Sequence, residues 1–316
     1  MKTQSIANTP FVVSRIGFGC MRLPPEQSDV IRVVRTALDE GINFFDHANV
    51  YQSGRCEEAF SVMWSQVPGL RDRIVLQSKC GIRRAGDPNP DSPVRYDFSY
   101  QHIKDSVEGS LKRLKTDHLD ILLLHRPDPL ADPEEVAKAF AELKDAGKVR
   151  FFGVSNHTGP QIELLKTALS VPLVANQLEI SILHNTLLSA GVITNQDNPT
   201  YPVRGEGTLE YCHAHKITVQ AWSPLARGLA SGKAASSSDE RAVKTAAVVE
   251  AIATAHSVSH EAVVIAWLLK HPAKIQPIIG TMTPARISAC CQADGVDLTR
   301  EEWYTLFSAG RGANVP

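Results

Sequence analysis

A (β/α)8 barrel, an α/β TIM barrel of eight parallel strands, is the fold this chain predicts, and three observations carry the reading. Short apolar runs alternate with longer amphipathic segments along nearly the whole length. The runs are too uniformly apolar to leave either face in water, as strands of a helix-covered parallel sheet must be. They lie near 15–20, 42–46, 73–79, 119–125, 149–154, 173–177, 217–222 and 276–280, a series of eight that suits a closed barrel better than an open sheet.

Helical patterns fill the intervals at Val30–Glu40, Cys56–Ser65, Gln101–Leu114, Pro133–Ala146, Pro160–Ala168, Leu209–His215, Val243–His256 and His260–Lys270. Local signals support the boundaries. Asp132-Pro133-Glu134-Glu135 sets a capping residue before a proline at the first helical position, then two acids at the positive end of the helix. Gly41 and Gly147 fall just past helix ends, where a left-handed cap is wanted. Gly81–Ser99 and Ser181–Gly207 break the alternation, being long and rich in Pro, Gly, Asn and Asp. Both follow strands, so they rise from the C-terminal face of the barrel, where active sites sit. The first brings Arg83, Arg84 and Arg95 toward a pocket wall; the second carries Asn195, Asp197, Tyr201 and Arg204 over a substrate opening. No repeat or linker divides residues 1–316, which read as a single domain.

Composition narrows the function by exclusion. With 33 basic against 34 acidic residues the net charge is −1, which offers no argument for nucleic acid or a membrane surface. The first residues lack the apolar core of a signal peptide, and no apolar run nears the roughly 18 residues that span a bilayer. Six scattered cysteines without a CxxC pair signal neither a zinc site nor a disulfide framework, so the chain reads as reduced, cytoplasmic and metal-free. Cys80, beside Lys79, is either a reactive thiol or, better on base rates, a buried structural one.

Three strand-like runs end in polar residues: Asp46, Lys79 and His125, with Tyr51 five residues after the first. Lys79 closes a largely apolar strand, so its ammonium needs an opposite charge, and Asp46 is the natural partner. A lysine held charged beside Tyr51 favours the phenolate and is expected to lower the phenol's pKa from about 10. Such a tyrosine is a general acid for a carbonyl oxygen or a base for an alcohol, and His125 can orient that oxygen. The bland alternatives are a structural Asp–Lys pair and a satisfied core histidine. A purely structural pair, however, has no reason to recruit both a phenol and an imidazole.

The blocks FDHANVYQSG, VLQSKCG, LLLHRPDP, FFGVSNH, NQLEIS, AWSPLARG and IIGTMTPARI follow one another in the order of an aldo-keto reductase. The chain resembles that family over roughly residues 8–308, most closely its bacterial-type oxidoreductase branch with DHA-x-x-Y and SKCGI. The resemblance implies a catalytic tetrad of Asp46, Tyr51, Lys79 and His125, with Tyr51 as proton donor. It also implies that Ser155, Asn156 and Gln177 bind the nicotinamide carboxamide and that Trp222 stacks on the ring. Ser223 and Leu225 would contact the pyrophosphate, with Gly19 and Cys20 near the ribose.

The dinucleotide fingerprint is absent, because Gly17-Phe18-Gly19-Cys20-Met21-Arg22 lacks its third glycine. A barrel instead binds phosphate after its last two strands. There Gly280 and Thr281 lead to Thr283 as an N-cap, Pro284 at the first helical position and Arg286 to grip a phosphate. An ordinary capped helix with a surface arginine fits the same residues equally well. Thr283 stands where many relatives carry a lysine, which weakens the case for a 2′-phosphate; NADP(H) remains favoured, with NAD(H) the alternative. The expected activity is reduction of a small-molecule aldehyde or ketone, or oxidation of the alcohol. A non-catalytic nucleotide sensor and a Schiff-base aldolase using Lys79 are the rival readings, and oligomeric state stays open.

Overall fold

The computed structural model describes residues 1–193, 207–228 and 237–316. Eight parallel strands close a barrel: β1 (Gly17–Gly19), β2 (Phe44–Asp46), β3 (Val75–Cys80), β4 (Leu119–Leu124), β5 (Val149–Ser155), β6 (Leu173–Glu179), β7 (Thr218–Trp222) and β8 (Gln276–Ile279). Each pairs with its neighbours in chain order, and β8 pairs back onto β1. The helices outside it include α1 (Gln27–Asp39), α2 (Arg55–Phe60), α3 (Met63–Gln66), α4 (Tyr100–Leu114), α5 (Pro133–Asp145) and α6 (Gly159–Lys166). They continue with α7 (Thr186–Val192), α8 (Thr208–Ala214), α9 (Glu240–His256), α10 (His260–Leu269), α11 (Pro284–Cys291) and α12 (Arg300–Arg311). The fold class is the one the sequence predicts.

The strand period of two decides which side chains meet. On β3, Val75, Gln77 and Lys79 point into the barrel, whereas Leu76 and Cys80 join the outer core under the helices. On β4, Ile121 and Leu123 face inward and Leu122 and Leu124 outward, so the next inward position is that of His125. Phe44 and Asp46 share the inner face of β2 in the same way. The lower barrel is therefore apolar and its upper end polar.

Several local expectations need revision. The predicted helix Cys56–Ser65 is split into α2 and α3. Ser61 and Ser65 each turn their hydroxyl onto a carbonyl three residues back, at 2.7 and 2.9 Å, a local bond that competes with a continuing helix. The Gly81–Ser99 stretch contains an antiparallel ribbon, Ile82–Arg83 against Arg95–Tyr96. An N-terminal hairpin, Thr3–Ser5 with Val12–Ser14, brings Ile6 and Val13 into the lower core beside Phe44, Val75 and Ile278. Helix α12 is a further element without a predicted counterpart, opened by a reciprocal capping box between Thr299 and Glu302. Asn195, Asp197, Tyr201 and Arg204 lie outside the described residues.

The caps follow their chemistry. Asp132 accepts from the Glu134 amide at 3.0 Å, and Gly41 and Gly147 take φ of +84° and +70°. No single described helix is long and apolar enough to cross a membrane.

Candidate active site

Tyr51 reaches the barrel mouth because the chain after β2 folds back through a tight left-handed turn. Gln52, Ser53 and Gly54 adopt φ of +48°, +60° and +90° in succession, strained for the first two. Two anchors hold that turn. The Gln52 amide donates to the Leu23 carbonyl at 3.1 Å, and Glu57, fully buried on α2, accepts from Ser78 at 2.7 Å and from Arg113 at 2.8 Å. A carboxylate outside the barrel thus ties α2 to β3 and α4, and with them the turn that presents the phenol.

At the mouth, Lys79 is 1% exposed and Asp46 3%. The Lys79 ammonium contacts both Asp46 oxygens at 2.6 Å, the His47 carbonyl at 3.0 Å and the Tyr51 hydroxyl at 3.0 Å. Burial pulls the lysine pKa down, but Asp46 and Tyr51 outweigh it and leave it above its ordinary value. Tyr51 corrects the expectation of a lowered pKa. Burial raises its pKa, Lys79 opposes and Asp46 assists, and the phenol ends above 10.0. His125 stands edge-on to the Tyr51 ring, centroids 5.9 Å apart. Burial, then Lys79 and Arg126, hold its pKa well below the usual 6.5, so the imidazole is neutral at physiological pH. Its Nδ1 is buried without a partner among the described residues.

The cleft above measures about 660 Å³, within the range of small-molecule sites. Asp46, Tyr51 and His125 line it, while Lys79 is sealed beneath. Gly19, Ser155, Asn156, Gln177, Trp222, Ser223, Leu225, Gly280, Thr281 and Arg286 line it as well. Ser155 donates to the Gln177 carbonyl at 2.8 Å; Asn156, at φ +61°, donates to Ser155 at 2.9 Å and accepts from the Trp222 indole at 3.1 Å. Cys20 does not line the cleft: it is fully buried behind it, where burial and Asp46 push its thiol pKa well up. Thr283 is also away from the lining, and although it occupies the N-cap of α11 its side chain makes no capping bond. Arg286 lines the cleft with its Nε bound to Glu261 at 2.9 Å.

Arg83, Arg84 and Arg95 do not wall the cleft. Arg83 pairs with Asp97 and Asp87, Arg95 donates to the Asp87 carbonyl, and Arg84 donates to the Val50 carbonyl. Instead Met21, Arg22, Arg126 and Arg227 line it, none of them singled out by sequence reasoning. Arg126 sits over the Trp222 ring, 5.6 Å from its centroid. Cys80 is buried and its thiol pushed up to about 12, which removes it as a reactive thiol. Among the described residues no three His, Cys, Asp or Glu side chains cluster as a metal would require.

A family model described as the aldo/keto reductase family matches residues 15–310. The chain belongs to the aldo/keto reductase family. It is 38% identical to an uncharacterized oxidoreductase of Bacillus subtilis, YcsN, over 96% of each chain. It is 36% identical to a 6-dehydroglucose reductase of Agrobacterium fabrum, again over 96% of each. A holo-form aldo-keto reductase of Bacillus halodurans superposes with a TM-score of 0.78 at 24% identity, covering 99% of this chain and 98% of that one, a likeness of fold. As an aldo/keto reductase, the chain is an oxidoreductase acting between carbonyl and alcohol on a small molecule.

Proposed function

We propose that this aldo/keto reductase, working as one barrel domain, uses NADP(H) to reduce an aldehyde or ketone, or oxidises the corresponding alcohol, with Tyr51 as the proton donor. One observation carries the reading: the Tyr51 oxygen accepts a hydrogen bond from a buried ammonium at 3.0 Å, so its own proton is free to point into the cleft. A substrate carbonyl lodged between Tyr51 and His125 receives a hydrogen bond from each. As charge builds on the carbonyl oxygen, Tyr51 hands over its proton, and Lys79, kept charged by Asp46, stabilises the phenolate left behind. In the reverse direction the phenolate takes the alcohol proton. The raised phenol pKa supports reduction near neutral pH and oxidation at alkaline pH.

A nicotinamide dinucleotide bound in the cleft supplies or accepts the hydride. The donor set fits such a group. Hydroxyl and amide groups gather at Ser155, Asn156 and Gln177, and the Gln177 side-chain oxygen has no partner among the described residues. Trp222 offers a flat ring, Gly19 a close backbone, and Ser223 and Leu225 a rim beside Gly280 and Thr281. Arg22 and Arg227, with Arg286 paired to Glu261 beside them, place guanidinium groups on that rim, which supports a phosphorylated ribose and hence NADP(H) over NAD(H). The six unpaired cysteines suit a reducing, cytoplasmic setting. The aldolase alternative fares poorly, since a Schiff-base lysine must be neutral and Lys79 is buried against a carboxylate with its pKa raised.

The test is a fluorescence titration with NADPH and NADH, followed by oxidation assays over a carbonyl panel that includes 6-dehydroglucose, the substrate in a relative's name. NADPH binding with carbonyl-dependent oxidation supports the proposal. Binding without turnover favours the sensor reading, and no binding of either nucleotide overturns the cofactor assignment.

A further inference from the structure

Beneath the mouth lies a layer that the proposed chemistry leaves unexplained. Barrel interiors are usually packed with branched apolar side chains, yet four inward positions here are glutamines: Gln77 on β3, Gln177 on β6, Gln220 on β7 and Gln276 on β8. Gln77, Gln220 and Gln276 are 0% exposed. Their amides run in one direction. Gln276 donates to the Ser14 carbonyl at 3.0 Å and accepts from Gln220 at 3.2 Å; the Gln220 oxygen accepts from Gln77 at 2.9 Å and Gln177 at 3.1 Å. Both of those amides also donate to the same Asp46 oxygen, Gln77 at 2.6 Å and Gln177 at 3.1 Å. The Asp46 carboxylate sets the Gln77 assignment, because a flipped Gln77 would turn its oxygen toward an acceptor.

We propose that Gln77 is a positioning residue, whose N–H bond to Asp46 fixes that carboxylate against Lys79 and so sets the proton affinity of Tyr51. The inference rests on the Tyr51 proton-donor reading. Two details favour Gln77 over its neighbours. Gln177 lines the cleft and donates to Asp46 at 3.1 Å, whereas Gln77 is sealed below and makes the shorter bond, at 2.6 Å. The Gln77 oxygen is buried without a partner among the described residues, a cost no space-filling side chain would incur.

The charged and titratable groups facing Tyr51 are Lys79, Asp46, the Cys20 thiol and the neutral His125 imidazole, with Arg126 beyond the last. Removing the Gln77 donor leaves the Asp46 charge less compensated, which opposes phenolate formation. Gln77→Met is therefore expected to move the Tyr51 ionisation upward by about half a pH unit or more. The readout is an ultraviolet difference titration, each protein minus its own Tyr51→Phe version, which needs no turnover. In parallel, the pH at which alcohol oxidation reaches its plateau should rise by the same amount. Gln220→Met removes the shared acceptor but no donor to Asp46, and is expected to leave the titration in place. Gln77→Asn, which withdraws the amide by one methylene, reads the same donor if Gln77→Met does not fold.

An unmoved titration in the Gln77 variants, or an equal shift with Gln220→Met, overturns the proposal and leaves the glutamines as packing. Failure of the reductase reading shows separately, as absent turnover in the wild type while the phenol titration still reports on Gln77.

Discussion

Replacing Lys79 by Met separates what the buried pair does for folding from what it does for chemistry. The substitution is close in length and volume but strips the charge from a site 0% exposed at the side chain, leaving Asp46 buried with only its glutamine donors. Breaking a buried pair by removing one partner costs about 3–5 kcal/mol. For a chain of 316 residues, an unfolding entropy of about 2 cal/mol/K per residue converts this to a fall in Tm of about 6 °C. On the chemical side, the ammonium lies 3.0 Å from the phenol oxygen, an attraction for phenolate on the order of 5 kcal/mol at an effective dielectric of about 20. If about half of that charge has developed at the transition state, kcat for carbonyl reduction drops about a hundredfold. The double variant Lys79→Met/Asp46→Asn keeps an acceptor for Gln77 and Gln177 while removing the orphaned charge. It should recover most of the lost Tm and none of the lost kcat. The assay is a double-mutant cycle read by calorimetry and by steady-state kinetics. Recovery of activity along with stability, or no recovery of either, contradicts this division of roles between Lys79 and Asp46.

Three further outcomes follow from the same geometry. His157 and His47 are buried with pKa values lowered by burial to about 4 and about 3. Below pH ~6.5 the unfolded chain binds protons that these rings refuse, so stability falls as pH drops through that window, by about 1.4 kcal/mol per pH unit for each. His157→Gln should flatten that slope by its share down to pH ~4, as read by urea denaturation at a series of pH values. Arg286→Ala should weaken NADPH about tenfold or more and NADH little, measured by fluorescence titration; equal loss for both nucleotides contradicts a phosphate role. Trp222→Phe keeps a ring but loses the indole bond that fixes Asn156 at 3.1 Å, and should raise the cofactor Kd severalfold, on the order of 1 kcal/mol.

Much of this architecture was legible because barrel strands and helices have short, repeated signatures. The polar ends of β2, β3 and β4 stood out against apolar runs, and the parallel pairing of those strands brings Asp46, Lys79 and His125 to one end of the barrel. The sign of the Tyr51 shift was not legible, because it depends on how completely the phenol is enclosed rather than on which residues are near. Cys20 was displaced by the same pleat: its neighbour Gly19 faces the cleft, and a residue one position on does not. The glutamine layer did carry a signal, since Gln77 and Gln220 interrupt apolar strands at inward positions two residues before Lys79 and Trp222. Arg126 and Arg22 carried none, as arginines in loops are ordinarily solvated. Helix α12 carried a local signal too, the Thr299-x-x-Glu302 capping box, whereas the N-terminal hairpin depends on tertiary packing that short windows do not contain.

The most direct test of the account is Tyr51→Phe, assayed for NADPH binding and for carbonyl reduction on the same preparation. The expected result is a Kd within about threefold of wild type and a kcat lower by about two to four orders of magnitude, the span of a lost general acid. A variant that binds NADPH normally and turns over within about tenfold of wild type would contradict it, because the proton would then come from elsewhere.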